Sequence, residues 1–207
     1  MLRQSQLAGR VRLRGLLADN QTTAQQMAAE RERFAALADP AAVRPVFSSF
    51  NLFPTPAPLA LRVYGMAGIS SAHSVLEPSA GTGNLLRNIP NVERCTAVEI
   101  DQELCDHLAR TFPGIRLHCC DFLDWEAPQK FDRIIMNPPF KQGRDTKHIV
   151  QAQKHLLPGG RLVAICASGP RQHEQLKPLA SEWHELPAGS FKGEGTNVSA
   201  AIVVIDA

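Results

Sequence analysis

The chain has little that would place it in a membrane, at a metal or on a triphosphate. No apolar run in its 207 residues approaches the length that spans a bilayer, and the opening MLRQSQLAGRVRLRG lacks the apolar core of a signal peptide. A cytoplasmic protein with no membrane partner is the expectation. Five cysteines, Cys95, Cys105, Cys119, Cys120 and Cys166, are an odd number without metal-ligand spacing, which points to reduced thiols. The adjacent Cys119 and Cys120 read as small apolar side chains rather than a redox pair. The formal net charge of +2 is too small to indicate a partner by itself. Its distribution is uneven, because residues 1–45 hold seven arginines against four acids. A basic arm of that kind either follows a phosphate backbone or is an ordinary solvated helix face. Internal repeats and low-complexity tracts are also missing. What is present is a composition of 44% apolar and 20% charged residues, ordinary for a soluble globular domain with some residues left over at an end.

Residues 1–39 carry few helix breakers, and TTAQQMAAERERFAALA predicts a helix with Met27, Phe34 and Leu37 on a modest apolar stripe. We therefore separate a helical extension at 1–45 from a domain at 46–207; the extension is a candidate for self-association. Five prolines interrupt DPAAVRPVFSSFNLFPTPAPLA, which predicts an irregular lead-in and a short helix near 57–66. From residue 73 onward, short apolar strands alternate with helical segments. HSVLEP, CTAVEI, IRLHCCDF, FDRIIM, RLVAICAS and SAAIVVID read as strands. DQELCDHLARTF reads as a helix capped by Asp101, DTKHIVQAQKHLL as a helix halted by PGG, and a further helix is expected around 170–181. Such alternation predicts an α/β fold with a mostly parallel sheet covered on both faces. In these sheets ligands bind beyond the carboxyl ends of the strands, near the topological switch point.

Four consecutive strand ends carry residues capable of chemistry. After the first, Ser79-Ala80-Gly81-Thr82-Gly83 permits a tight turn and a close approach of ligand to backbone. The turn lacks the lysine of a triphosphate loop, and Glu77 just before it would repel a phosphate, so a ligand with an ammonium or other positive centre suits it better. Glu99 ends the second strand, where a carboxylate can accept from both hydroxyls of a ribose. Asp121 and Phe122 follow the third, one suited to an amino group and the other to a base face; as a turn acid and a core ring they would mean nothing. The fourth strand stops at Asn137-Pro138-Pro139-Phe140. Neither proline can extend a ladder, and the first pushes Asn137 into an extended conformation. The outcome is a stiff corner with an amide at its start and a ring at its end.

In this order the four ends resemble the class I S-adenosylmethionine-dependent methyltransferases, and more narrowly their amino-methylating branch with an Asn/Asp-Pro-Pro-aromatic motif. FPTPAPLA is similar to the segment upstream of the glycine turn in adenine-N6 DNA methyltransferases, and LPAGSFKGEGTNVSAAIVVID to the tail of small phage- and plasmid-type members. The resemblance covers about residues 50–207 and implies a Rossmann-like seven-stranded sheet with S-adenosylmethionine as cofactor. By it, Thr55, Glu77, Ser79 and Gly81 hold the methionine end, Glu99 takes the ribose, Ile100 packs on the adenine, and Asp121 with Phe122 fixes the adenine edge. The expected substrate is the N6 amino group of adenine in DNA.

An exocyclic amine is a poor nucleophile because its lone pair is delocalised into the ring. Acceptors at the Asn137 side chain and the Pro138 carbonyl could each take one N–H, which favours a tetrahedral nitrogen. Phe140 then offers the base a stacking face. A duplex target must be flipped out. KQGRDTKH, with Lys141, Arg144 and Lys147, is expected to form a loop that contacts phosphates, and Phe191 with Lys192 to add a second surface; an ordinary exposed loop and core packing of Phe191 are the alternatives. No separate recognition domain is expected after residue 207, which implies short or degenerate target contexts. An RNA base amino group, a protein glutamine amide, or a non-catalytic relative that keeps the fold are the rival readings.

Overall fold

The computed structural model of the chain describes residues 54–191 and 198–207, so the extension expected at 1–45 and Lys192 lie outside the described residues. The first element is helix α1, Ala57–Ala67, which starts behind Pro56 and is closed by Gly68 in the left-handed region at φ 58°. It places Leu59, Ala60, Val63 and Ala67 against the sheet, a spacing that keeps them on one face. Strands β1 (Val75–Pro78), β2 (Cys95–Glu99), β3 (Arg116–Cys119) and β4 (Phe131–Met136) follow, with helix α2 (Gln102–Thr111) between β2 and β3. As the sequence predicts, Asp101 caps α2, its Oδ1 accepting from the N–H groups of Glu103 at 2.9 Å and Leu104 at 3.2 Å. Helix α3 (Arg144–Gln153), strand β5 (Leu156–Ala167), helix α4 (Pro170–Gln175) and strands β6 (Glu182–Glu185) and β7 (Ala200–Asp206) complete the described fold.

The seven strands form one sheet in the order β3-β2-β1-β4-β5-β7-β6. Strands β1 to β5 run parallel, while β7 is antiparallel to both β5 and β6. The order reverses between β1 and β4, so the two flanking loops diverge there and leave a crevice. Side chains alternate across the sheet. Val75, Ala97, Ile135 and Val163 pack with α1 on one face; Leu76, Val98, Ile134, Met136 and Leu162 pack with Ile149 and Ala152 of α3 on the other. Burial on both faces is what makes FDRIIM and AIVVI nearly continuous apolar runs. Among the described residues, no helix is long and apolar enough to cross a membrane.

Three local expectations need correction. The helix of residues 144–153 ends before KHLL, and PGG does not stop it: Leu156 already pairs with Phe131, and β5 continues through Pro158, Gly159 and Gly160. A shift of register between Phe131 and Arg133 absorbs the extra residues as a bulge. The expected helix at 170–181 is shorter, and residues 182–185 form an edge strand instead. Finally, the expected loop 141–148 is a single tight turn. Gln142 (φ 58°) and Gly143 (φ 70°) reverse the chain, and α3 begins at Arg144.

Candidate active site

The carboxyl ends of β1, β2, β3 and β4 open into one cavity of about 900 Å³, the size of a pocket for a nucleotide-sized ligand. The β1 end is built from unusual backbone. Ser79 has φ 126°, Gly81 φ 55° and Gly83 φ 75°. The Ser79 and Ala80 N–H groups both donate to the Val98 carbonyl, at 2.9 and 3.1 Å, which fastens the turn across to β2. Gly81 faces the cavity, but Gly83 does not. A methyl at Gly83 would run into the Phe112 ring and lie 2.9 Å from Leu108 Cδ2, so this glycine is needed for packing of the turn on the end of α2.

Glu77 lines the cavity and is 2% exposed. Its Oε2 has no hydrogen-bond partner among the described residues. Burial first, and the nearby Glu99 charge second, push its carboxyl well above the ordinary carboxylate range. An unpartnered carboxylate in that position is costly in the empty site and is satisfied by a ligand that brings an ammonium or other cationic group. Glu99 is in a different state. Its Oε2 accepts from the Gly81 N–H at 2.7 Å, and its Oε1 from Ile100 at 2.9 Å and Asp101 at 3.0 Å. Each carboxylate oxygen has two lone pairs, so Oε2 keeps one for a hydroxyl while Oε1 is filled by backbone. Ile100 beside it is 64% exposed and lines the cavity, an apolar surface open to a ligand.

At the β3 end, Asp121 Oδ1 accepts from Leu123 N–H at 3.0 Å and Oδ2 from Arg144 Nη2 at 2.7 Å. Partial burial pulls this carboxyl up, but the Arg144 and Leu123 hydrogen bonds outweigh it and hold it below the usual range. Phe122 forms part of the cavity wall and is also a core ring, packed 6.1 Å from Trp125 and 5.5 Å from His148. At the β4 end, Asn137, Pro138, Pro139 and Phe140 all border the cavity. The Asn137 Nδ2 donates to Thr55 Oγ1 at 3.1 Å, and the Thr55 carbonyl accepts from Asn84 Nδ2 at 2.9 Å. Thr55 therefore bridges the glycine turn and the proline corner. Phe191 is 1% exposed and meets Phe140 edge-on at 6.1 Å, so it forms a wall that supports the ring rather than a free surface. Lys141 is exposed at the rim; Lys147 is exposed too, but it borders a separate shallow depression with Lys154 and Gln175.

Two contributors were not apparent in the sequence. Asn84 gives no signal beyond following the glycines. His148 sits one turn after Arg144 on α3, and its Nδ1 lies 3.1 Å from Ser79 Oγ. Burial, with Arg144 nearby, pushes its pKa down to about 4, so the ring is neutral at physiological pH. Elsewhere, Ser168 Oγ (3.1 Å) and Glu185 Oε1 (3.3 Å) both approach the same nitrogen of His173, which rules out a Ser-His-acid relay through opposite ring nitrogens. Among the described residues, no group of three or more His, Cys, Asp or Glu is placed to hold a metal ion.

The methyltransferase small domain family matches residues 79–189, more than half of the chain and including the glycine turn and the proline corner. The chain belongs to that family. As a methyltransferase small domain it is 33% identical over 96 residues to the type II methyltransferase M.CvrRI of Paramecium bursaria Chlorella virus XZ-6E, a match covering 45% of this chain and 25% of that protein. Its fold is that of a dimethyladenosine transferase from Plasmodium falciparum (TM-score 0.60, 18% identity, 75% of this chain and 64% of that one). It also matches a Listeria monocytogenes protein classed among class I S-adenosylmethionine-dependent methyltransferases (TM-score 0.59, 17% identity, 77% and 62%). The chain thus spans a quarter of the curated relative and under two thirds of these two structures. S-adenosylmethionine is the expected cofactor of the domain, and the orphaned Glu77 carboxylate, the Glu99 Oε2 and the bare Ile100 surface fit its cationic and apolar parts.

Proposed function

We propose that this methyltransferase domain modifies the N6 amino group of adenine in DNA. The observation that carries the reading is the Thr55 bridge. By donating its Nδ2 to the Thr55 hydroxyl, Asn137 keeps its Oδ1 as the acceptor of the amide, in the same cavity that Glu77 and Glu99 line.

In this reading Glu77 pairs with the amino acid ammonium of S-adenosylmethionine, Glu99 Oε2 takes a ribose hydroxyl, and Ile100 lies against the adenine. When bound, the cofactor supplies a methyl group on a positively charged sulfur. The protein's own work falls on the amine. Asn137 Oδ1 and the Pro138 carbonyl each accept one N–H, which draws both hydrogens out of the ring plane and restores a directed lone pair to nitrogen. Pro138 and Pro139 hold the acceptors in place before the substrate arrives, so little reorganisation is needed. Phe140, braced by Phe191, stacks on the base and contributes about 1–3 kcal/mol. The extra proton can leave to water after transfer, which is why a neutral amide suffices where many enzymes place a base. DNA is favoured over RNA and protein by the resemblance of the FPTPAPLA segment and of the tail to adenine-N6 DNA methyltransferases, alongside the likeness to a type II methyltransferase.

Transfer of labelled methyl from S-adenosylmethionine to unmethylated DNA, to DNA already carrying N6-methyladenine, to RNA and to protein tests this directly. Label on the first alone is the expected result. Equal label on premethylated DNA moves the target to another atom, and label on protein or RNA replaces the substrate.

A further inference from the structure

Lys141 and Arg144 line the cavity while Lys147 and Arg171 stand outside its lining, and the structure separates these cations by what already holds each one. Arg144 is paired with Asp121 at 2.7 Å. Lys147 borders the separate depression on the outer side of α3. Arg171, at the start of α4, is exposed and has no hydrogen-bond or ion-pair partner among the described residues.

Its placement is nevertheless constrained. The guanidinium lies on the backbone of Gly143, in the turn that directly follows the proline corner. A methyl at Gly143 would meet Arg171 Nη1 and come within 3.1 Å of its Cδ and Cζ, so the arginine side chain lies directly over this glycine. The supporting backbone is pinned from below. Asp145, fully buried, accepts at Oδ2 from the Ala167 N–H at 3.0 Å and from Gln172 Nε2 at 2.9 Å. This tie joins the first turn of α3, the end of β5 and the residue next to Arg171. The backbone that carries Arg171 is fixed by this tie, and its side chain is left exposed beside the turn.

Resting on the nucleic-acid reading above, we infer that Arg171, with Lys141 across the turn, grips a backbone phosphate of the strand that carries the target base. The guanidinium fork suits a phosphodiester and a planar carboxylate alike, and a strand whose target base stacks on Phe140 brings its phosphates past the turn beside Arg171. Arg144 is engaged with Asp121 through Nη2, so we assign it to that carboxylate and Arg171 to the phosphate.

The test compares Arg171→Ala, Arg171→Lys and Arg144→Ala for binding of fluorescent single-stranded DNA, duplex DNA and RNA across a salt series, with the dissociation constant for S-adenosylmethionine measured in parallel. Arg171→Ala is expected to weaken oligonucleotide binding about tenfold at low salt and to lower the slope of log K against log salt by about 0.7–0.9. Arg171→Lys should restore the slope, and cofactor affinity should not change in either. Arg144→Ala should show the reverse, with weaker cofactor binding and an intact salt slope. A wild-type salt slope in Arg171→Ala, in a protein that binds and methylates DNA, overturns the assignment and leaves the adenine reading standing. A wild-type protein that takes up cofactor but binds no oligonucleotide overturns both.

Discussion

The two strands at the switch point end in opposite ways. Strand β1 runs into Ser79, Gly81 and Gly83, all at positive φ, and β4 into two prolines that can adopt no such angle. The first end lets the backbone fold tightly and offers buried carboxyl groups, with Glu77 and Glu99 both under 10% exposed. The second stiffens the backbone and offers a neutral amide and carbonyls. A ligand that brings positive charge is held by the first kind of end. A planar amine that must be reshaped needs acceptors that do not move, and charge is unnecessary there. Thr55 couples the two ends through Asn84 and Asn137, so flexibility permitted on one side is braced against rigidity on the other.

The largest effect should follow from removing the rigid end's acceptor. Asn137→Ala is expected to lower kcat by about 10²–10³, by analogy with losing one preorganised group at a reacting centre, while S-adenosylmethionine still binds with near wild-type affinity. Single-turnover methyl transfer and calorimetry separate the two. Loss of cofactor binding in this variant would mean that the corner belongs to the cofactor half. Next comes Gly83→Ala, which adds a methyl against Phe112 and Leu108 at φ 75°. We expect a loss of about 2–3 kcal/mol of stability, which lowers Tm by about 5–10 °C for a chain of this size. An unchanged Tm would show that the β1 turn relaxes without help from α2.

What could be read from the sequence divides along the same line. Strand β4, its proline stop, the glycine turn and the Asp101 cap are all local. An apolar run, two residues without N–H groups and a short acid before a helix announce themselves within a few positions. Strand β6 could not be read that way, because EWHE has charge at both ends and is a strand only through β7. The start of β5 was hidden for the same reason, since PGG suggests a stop until Phe131 is seen to pair with Leu156. In the site, the residues at the four strand ends were visible as candidates, but their partners were not. Arg144 and Asp121 are 23 positions apart, His148 and Ser79 69, and Thr55 and Asn137 82. Contacts over such distances are consequences of the switch-point topology, and no local pattern encodes them. This is why a cation expected at phosphates is found holding an acid.

A smaller effect tests the charged end. Since the Glu77 carboxyl is pushed up by burial, and further by Glu99, the folded protein binds its proton more tightly than the unfolded chain does. The resulting stabilisation is fully present below the unfolded carboxylate range and is lost as pH rises through the higher folded value. Ligand-free protein should therefore lose stability as pH rises above the ordinary carboxylate range, and Glu77→Gln should flatten that decline. Where the wild-type carboxyl is ionised, the variant should be about 1–3 kcal/mol more stable than wild type, the cost of one unmet buried group, and should bind S-adenosylmethionine more weakly. Parallel pH–Tm curves for the two proteins would show that Glu77 has a partner in the empty site.

The smallest effect discriminates between two roles for one residue. Thr55 was expected at the methionine end of the cofactor, yet its hydroxyl receives the Asn137 amide and its carbonyl the Asn84 amide. Thr55→Val keeps shape and the backbone carbonyl and removes the hydroxyl alone. If the hydroxyl serves to orient Asn137, the loss is one hydrogen bond of about 1 kcal/mol felt at the reacting amine, so kcat falls about fivefold and the cofactor dissociation constant stays within about twofold. If the hydroxyl instead contacts the cofactor, the dissociation constant rises by that factor and kcat at saturation does not. The two ends of the site are braced through Thr55 only in the first case. The split between kcat and cofactor affinity, rather than the size of either change, decides whether rigidity at the corner depends on the segment before α1.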